Sequence, residues 1–149
     1  MPRRISLFRR FLNHPNERRR LLLEASLYLV WARLMLLVLP FRRLTPFFNR
    51  RPSPPGVADP MERQRLRLEI RWAIERAVVH LPGKMTCFPQ GIAAQAMCRK
   101  RGIDAVLYYG AAPLPEKGLS AHVWVLDDTE GVIGHQLAHE YRIIGRFPG

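Results

Sequence analysis

From residue 15 onward apolar and polar side chains alternate with a helical rhythm. From residue 27 the apolar ones run almost all the way round: Leu27, Leu29, Val30, Trp31, Leu34 and Met35 are followed by four more at 36–39. Pro15 suits a first helical position, and Glu17 can reach back to the free amides of the first turn. Pro40 stops the run, so the pattern predicts one helix over 15–39. A helix that is apolar on every side calls for burial on several sides.

Residues 50–59, RRPSPPGVAD, hold three prolines and a glycine and read as a linker. Asp59-Pro60-Met61-Glu62 then opens a second helix with a good N-cap. It runs to about His80, with Leu66, Ile70, Ala73, Ile74 and Ala77 on one face and Arg63, Arg67, Arg71 and Glu75 on another. A third helix opens around Cys87 to Pro89 and closes at Gly102, which suits a left-handed C-terminal cap. Its small residues Cys87, Gly91, Ala94 and Cys98 share a face, against which another element can pack closely.

After Gly102 the period changes to two. Residues 105–109 read as a strand, 111–120 as a loop, 121–126 as a second strand, 127–131 as a turn and 132–135 as a short third strand; 141–147 make a fourth candidate. Helices first and strands after predict an α+β fold, a catalytic-type helix packed on a small antiparallel sheet. The expected organisation is a helical arm at 1–49, a linker at 50–59 and a core at 60–149.

Charge changes the picture of the first half. The net charge is +12, and residues 1–71 hold 16 Lys/Arg against 5 Asp/Glu, a net of +11. That is either a solvated basic face or a site for an acidic partner such as phospholipid, nucleic acid or an acidic protein. Residues 21–39 approach the roughly 20 needed to span a bilayer. However, Glu24 and Arg33 interrupt them, at a cost of about 2–3 kcal/mol each near the bilayer centre. The expected role is therefore a core- or partner-facing helix, with peripheral membrane contact through residues 27–39 as the alternative. Two cysteines form no disulfide framework, and the basic start lacks a secretory cleavage pattern, so the expected compartment is the cytoplasm. Nucleic acid is not the expected partner, because charge alone points to it and no recognition motif is visible.

Two residues carry candidate chemistry. Cys87 lies where a helix begins, so that amides and helix dipole favour a thiolate and can hold an oxyanion. The competing reading is a buried structural cysteine. His122 lies mid-strand in Ala121-His122-Val123-Trp124-Val125, on one face with Trp124 and Leu126, and is either a general base or a satisfied core histidine. The base needs a third group to orient it. If Asp128 pairs with Gly131, His135 comes to one diagonal step from His122; a register slip brings Gln136 instead. Asp127 and Asp128, at the strand's end, are the carboxylate candidates and otherwise a plain turn pair. His135 and His139, four apart, are spaced as zinc ligands on a helix, but without a second cysteine or carboxylate beside them no metal is expected. No phosphate-binding glycine loop is present, and no cofactor is expected.

Three stretches together resemble the lasso peptide leader peptidases, a branch of the transglutaminase-like cysteine protease superfamily. They are His14-Pro15-Asn16-Glu17-Arg18-Arg19 with Pro40-Phe41-Arg42-Arg43-Leu44; Thr86-Cys87 through Arg101-Gly102-Ile103-Asp104-Ala105 and Leu107-Tyr108-Tyr109-Gly110; and Ala121-His122-Val123-Trp124-Val125 with Val132-Ile133-Gly134 and 141–147. The resemblance implies a transglutaminase/papain-like core with Cys87 as nucleophile and His122 as general base. It implies removal of the leader from a ribosomally made precursor peptide, alongside a separate leader-binding protein and an ATP-dependent macrocyclase. The superfamily places an acidic residue where this chain has His135, so His135, Asp127 or Asp128 serves as third residue, or the enzyme works as a dyad. The rival expectation is a non-catalytic basic scaffold that binds a membrane or a partner.

Overall fold

The computed structural model describes residues 15–40, 43–44 and 55–148. The parts of the expected arm and linker at 1–14, 41–42 and 45–54 lie outside the described residues. Three long helices come first: α1 (Pro15–Val38), α2 (Pro60–His80) and α3 (Cys87–Lys100). Then β1 (Val106–Pro113), β2 (Leu119–Asp127), β3 (Glu130–Ile133) and β4 (Arg142–Pro148) pair antiparallel in the order β3-β2-β1-β4, with a 3-10 helix at His135–Glu140 before β4. The fold is α+β.

The helix boundaries follow their capping chemistry. Asp59 Oδ1 accepts from the Met61 amide at 3.0 Å, ahead of Pro60 in the first turn. Gly102 takes φ +74, and its neighbour Ile103 donates to the Cys98 carbonyl at 2.9 Å, closing α3. The small face of α3 does lie against the sheet: a Cβ on Gly91 would come within 2.5 Å of Val123 Cγ1. Leu107, Val123 and Val125 fill the space beneath and are buried.

α1 packs on this core. Leu21, Ala25, Leu29 and Ala32, one stripe of the helix, are buried against α2 and α3. The polar residues that interrupt the apolar run are both engaged. Glu24 accepts two hydrogen bonds from Arg101, at 2.8 and 2.9 Å, and Arg33 donates to the Pro82 carbonyl at 3.0 Å. α1 is long and apolar enough to cross a bilayer by length and composition, with 22% of its most apolar window buried in the fold. Its other side leaves Leu23, Leu27, Leu34, Leu37 and Val38 exposed.

α2 holds the β2–β3 hairpin through arginines at four-residue spacing. Arg63 and Arg67 both bond the Asp127 carboxylate, Arg67 Nη1 at 2.6 Å and Arg63 Nε at 3.2 Å. Arg71 donates to the carbonyls of Gly131 at 2.6 Å and Val132 at 2.8 Å. The face expected to be solvated is thus in part a grip on the sheet.

The strands differ from expectation in two places. The loop expected at 111–120 is half strand: β1 and β2 pair as far as Pro113↔Leu119, and residues 114–118 alone make the turn, with Lys117 and Gly118 at positive φ. Asp127 pairs with Glu130 across a two-residue turn, with Asp128 at φ +58, so the expected Asp128–Gly131 pairing does not form. Leu126 pairs with Gly131 and Val125 with Ile133, which makes Val132 the extra residue of a β-bulge. β3 ends at Ile133, and His135 starts the 3-10 helix instead of extending the strand.

Asp127 is 1% exposed. Burial by itself pushes its carboxyl up, but the hydrogen bonds and charges of Arg63 and Arg67 outweigh burial and hold it below the usual value. A depressed folded value contributes stability above the unfolded carboxyl value of about 3.9, lost as pH falls through the folded value. Asp127→Ala leaves two arginines facing a vacated site. It should lower unfolding stability by about 3 kcal/mol at pH 7, measured by urea denaturation, and the deficit should shrink below about pH 4.

Candidate active site

Cys87 occupies the first turn of α3, half-buried, and packs against the edge of the core. The N-cap residue Thr86 makes no side-chain capping bond, so its hydroxyl does not occupy the first-turn amides. The helix N-terminus therefore keeps amide donors of the kind that can hold an oxyanion at this position. Next to it, the Phe88 ring lies 5.3 Å from that of Tyr109. Tyr109 pairs with Val123, whose side chain points to the face of β2 opposite that of His122.

His122 is enclosed by aromatic rings and one carbonyl. Its ring centroid is 6.0 Å from Trp124 and 5.0 Å from Tyr141, while Trp124 stacks on Tyr108 at 5.8 Å. Gly110 makes room for this: a Cβ there would meet the Trp124 ring and Tyr141 Cβ at 2.9 Å. Ser120 Oγ and Tyr141 Oη lie 3.2 Å apart and share a hydrogen bond. His122 Nε2 is 2.7 Å from the Gly134 carbonyl oxygen. A carbonyl only accepts, so Nε2 carries a proton, and in the neutral ring Nδ1 then keeps the lone pair. That is the tautomer a general base needs if Nδ1 is to take the thiol proton.

The structure does not join Cys87 and His122. By strand alternation His122 shares a face with Ser120 and Trp124, whereas α3 covers the face of Val123 and Val125. Among the described residues no hydrogen bond links the thiol to the ring. Catalytic hydrogen bonds of an unliganded site are often long and tighten with substrate.

None of the expected third residues bonds His122. His135 places its ring over Gly131, where a Cβ would come within 2.1 Å of it. Its Nδ1 is buried without a hydrogen-bond partner among the described residues. Burial first, and the Arg71 charge second, hold this imidazole below its usual value, with Glu130 opposing. Asp127 is on the opposite face from His122 and is taken by Arg63 and Arg67. Asp128 is exposed in the turn. Gln136 is exposed in the 3-10 helix. The zinc-like spacing of His135 and His139 falls in that same helix, where three residues per turn put positions i and i+4 on different faces. The group that does reach His122 is a main-chain carbonyl, for which a sequence carries no residue-type signal. Tyr141, in contact with His122, was legible only as the start of a strand.

The sequence profile of the transglutaminase-like superfamily matches residues 29–146. The chain belongs to the transglutaminase-like superfamily. No curated protein and no solved structure matches the chain. The superfamily match takes in the second half of α1, consistent with that helix packing on the core, and it includes Cys87, His122 and the whole hairpin. This superfamily includes cysteine proteases and transglutaminases.

Thiol labelling separates the two cysteines. Cys98 is fully buried, and burial, followed by the Asp127 charge, pushes its thiol up to about 12. Iodoacetamide at pH 6 on the folded protein should modify Cys87 and spare Cys98, read by peptide mass mapping. Equal, slow modification of both would mean that Cys87 is a structural thiol.

Proposed function

We propose that the protein is a cysteine peptidase that removes the leader from a ribosomally made lasso-type precursor peptide. Cys87 is the nucleophile and His122 the general base. The observation that carries the reading is the His122 ring itself. It is held by a carbonyl, with Nε2 carrying the bonded proton, in a transglutaminase-like chain that also places Cys87 at a helix N-terminus.

In this reading peptide binding must bring the His122 ring, which lies on the face of β2 away from α3, round to Cys87. Nδ1 takes the thiol proton, and Sγ attacks the carbonyl carbon at the leader–core junction. First-turn amides of α3 hold the oxyanion. The imidazolium returns its proton to the departing amine as the peptide bond breaks, and water then hydrolyses the thioester. His135 serves in this scheme as a wall of the β3 turn. The partners are a separate leader-binding protein and a macrocyclase; ATP belongs to the latter, and this chain needs no cofactor. The chemistry suits a cytoplasmic compartment.

A second reading is a basic scaffold that docks on a membrane or a partner. It is favoured by the exposed apolar stripe of α1, which borders a groove of about 1110 Å³ lined by Leu23, Leu27, Trp31, Met35, Ile92 and Ala96. Arg20, Arg99 and Lys100 stand at the same groove. Exposed apolar patches of this kind mark interaction sites.

Mass spectrometry of a precursor peptide incubated with the protein and its leader-binding partner tests both readings. Wild type should release an intact leader at one site, Cys87→Ala should release none, and His122→Ala should be slower by roughly 10²–10⁴-fold, the usual contribution of a general base. Identical traces for wild type and Cys87→Ala would remove the peptidase reading. In that case, co-sedimentation with phosphatidylserine vesicles, expected to be lost in a Leu27→Asp/Leu34→Asp double variant, tests the scaffold reading.

A further inference from the structure

Among the described residues no carboxylate bonds His122, as one commonly does a catalytic histidine, yet one of its ring nitrogens is firmly bonded. The acceptor is the Gly134 carbonyl, 2.7 Å from Nε2. Gly134 itself is tightly confined. It takes φ +72, a conformation that L side chains rarely adopt, and a Cβ there would lie 2.6 Å from the Val123 carbonyl oxygen. The chain reaches this position through the bulge at Val132, which re-aims the residues that follow it.

A bulge leaves carbonyls outside the regular ladder, and here both are taken by one side chain. Arg71 Nη2 bonds Gly131 O at 2.6 Å and Arg71 Nε bonds Val132 O at 2.8 Å. The planar guanidinium suits two adjacent acceptors held at a fixed angle. On the other side the His135 ring fills the space over Gly131. The bulge is therefore clamped from α2, and the carbonyl two residues beyond Val132 is aimed at the histidine.

We infer that the orienting member of the site is the Gly134 main-chain carbonyl, in place of a side-chain carboxylate, and that Arg71 is the positioning residue that aims it by holding the β3 bulge. Its catalytic meaning rests on His122 being the base; its geometry does not. A carbonyl dipole fixes the tautomer and the ring plane as a carboxylate does, but it stabilises the imidazolium less. A site built this way depends more on the accuracy of its aim than on charge.

Nitrogen NMR of full-length protein labelled with ¹⁵N-histidine reads the tautomer directly, without any substrate. The His122 resonances, assigned by their loss in His122→Gln, should show in wild type a protonated Nε2 and an unprotonated Nδ1. In Arg71→Ala they should shift toward a mixture of tautomers, while Arg71→Lys, which can hold one carbonyl, should restore part of the wild-type signature. Leader release by Arg71→Ala should fall by roughly 10²-fold, the scale of misplacing a reacting group by about 1 Å. A wild-type His122 protonated on Nδ1 overturns the inference, and that measurement does not depend on any variant folding. So does a folded Arg71→Ala with the wild-type signature. Should the tautomer behave as expected while wild type cleaves nothing, the positioning role stands and the peptidase reading falls.

Discussion

Three arginines on one face of α2 grip the β2–β3 hairpin, and the rest of the molecule is arranged around that grip. Arg63 and Arg67 converge on Asp127, which is buried at the end of β2. A carboxylate taken out of water loses several kcal/mol of solvation, and only well-formed charged hydrogen bonds offset the loss. The hairpin can satisfy that requirement in one register only, because a slip by a single residue turns Asp127 to the other face and leaves the arginines unpaired. One turn further along, Arg71 reads the backbone of β3 rather than a side chain. The same helix thus sets the register of the hairpin and the shape of its exit.

That exit determines the surroundings of His122. Because β3 stops at Ile133 and Gly134 turns left-handed, the following residues leave the sheet as a 3-10 helix, and Tyr141 comes back beside the histidine. The ring is held between Trp124 and Tyr141 with one nitrogen bonded. Cys87 is set independently, by the close packing of α3 at Gly91 on Val123. Two separate contacts therefore position the two candidate residues, one through α2 and the hairpin, the other through α3 and the sheet.

The basic charge of the first half has a different meaning in the folded chain than in the string of residues. Arg63, Arg67 and Arg71 serve the hairpin, and Arg33 ties α1 to the loop after α2. In the other direction, Arg101 of the weakly charged half neutralises Glu24 on α1. At the α1–α3 groove Arg20, Arg99 and Lys100 adjoin exposed leucines. α1 is half integrated: its alanine stripe is covered, and its leucine stripe faces outward.

The sequence by itself determined the elements whose signals are local. Pro15, Asp59-Pro60 and Gly102 act on their own backbones, so the start of α1, the start of α2 and the end of α3 were legible within a residue or two. Strand periodicity and helix-then-strand order were enough for the α+β class, and the motif stretches around Cys87 and His122 for the superfamily. Tertiary structure decided what depends on partners far along the chain. Nothing near Asp127 says that Arg63 and Arg67 will claim it, so a buried ion pair read as a carboxylate candidate. Nothing near His135 says that a bulge one turn earlier will end its strand. The hydrogen bond that orients His122 goes to a main-chain oxygen, a group every residue possesses. Its selection comes from where the fold places Gly134, which no residue type announces.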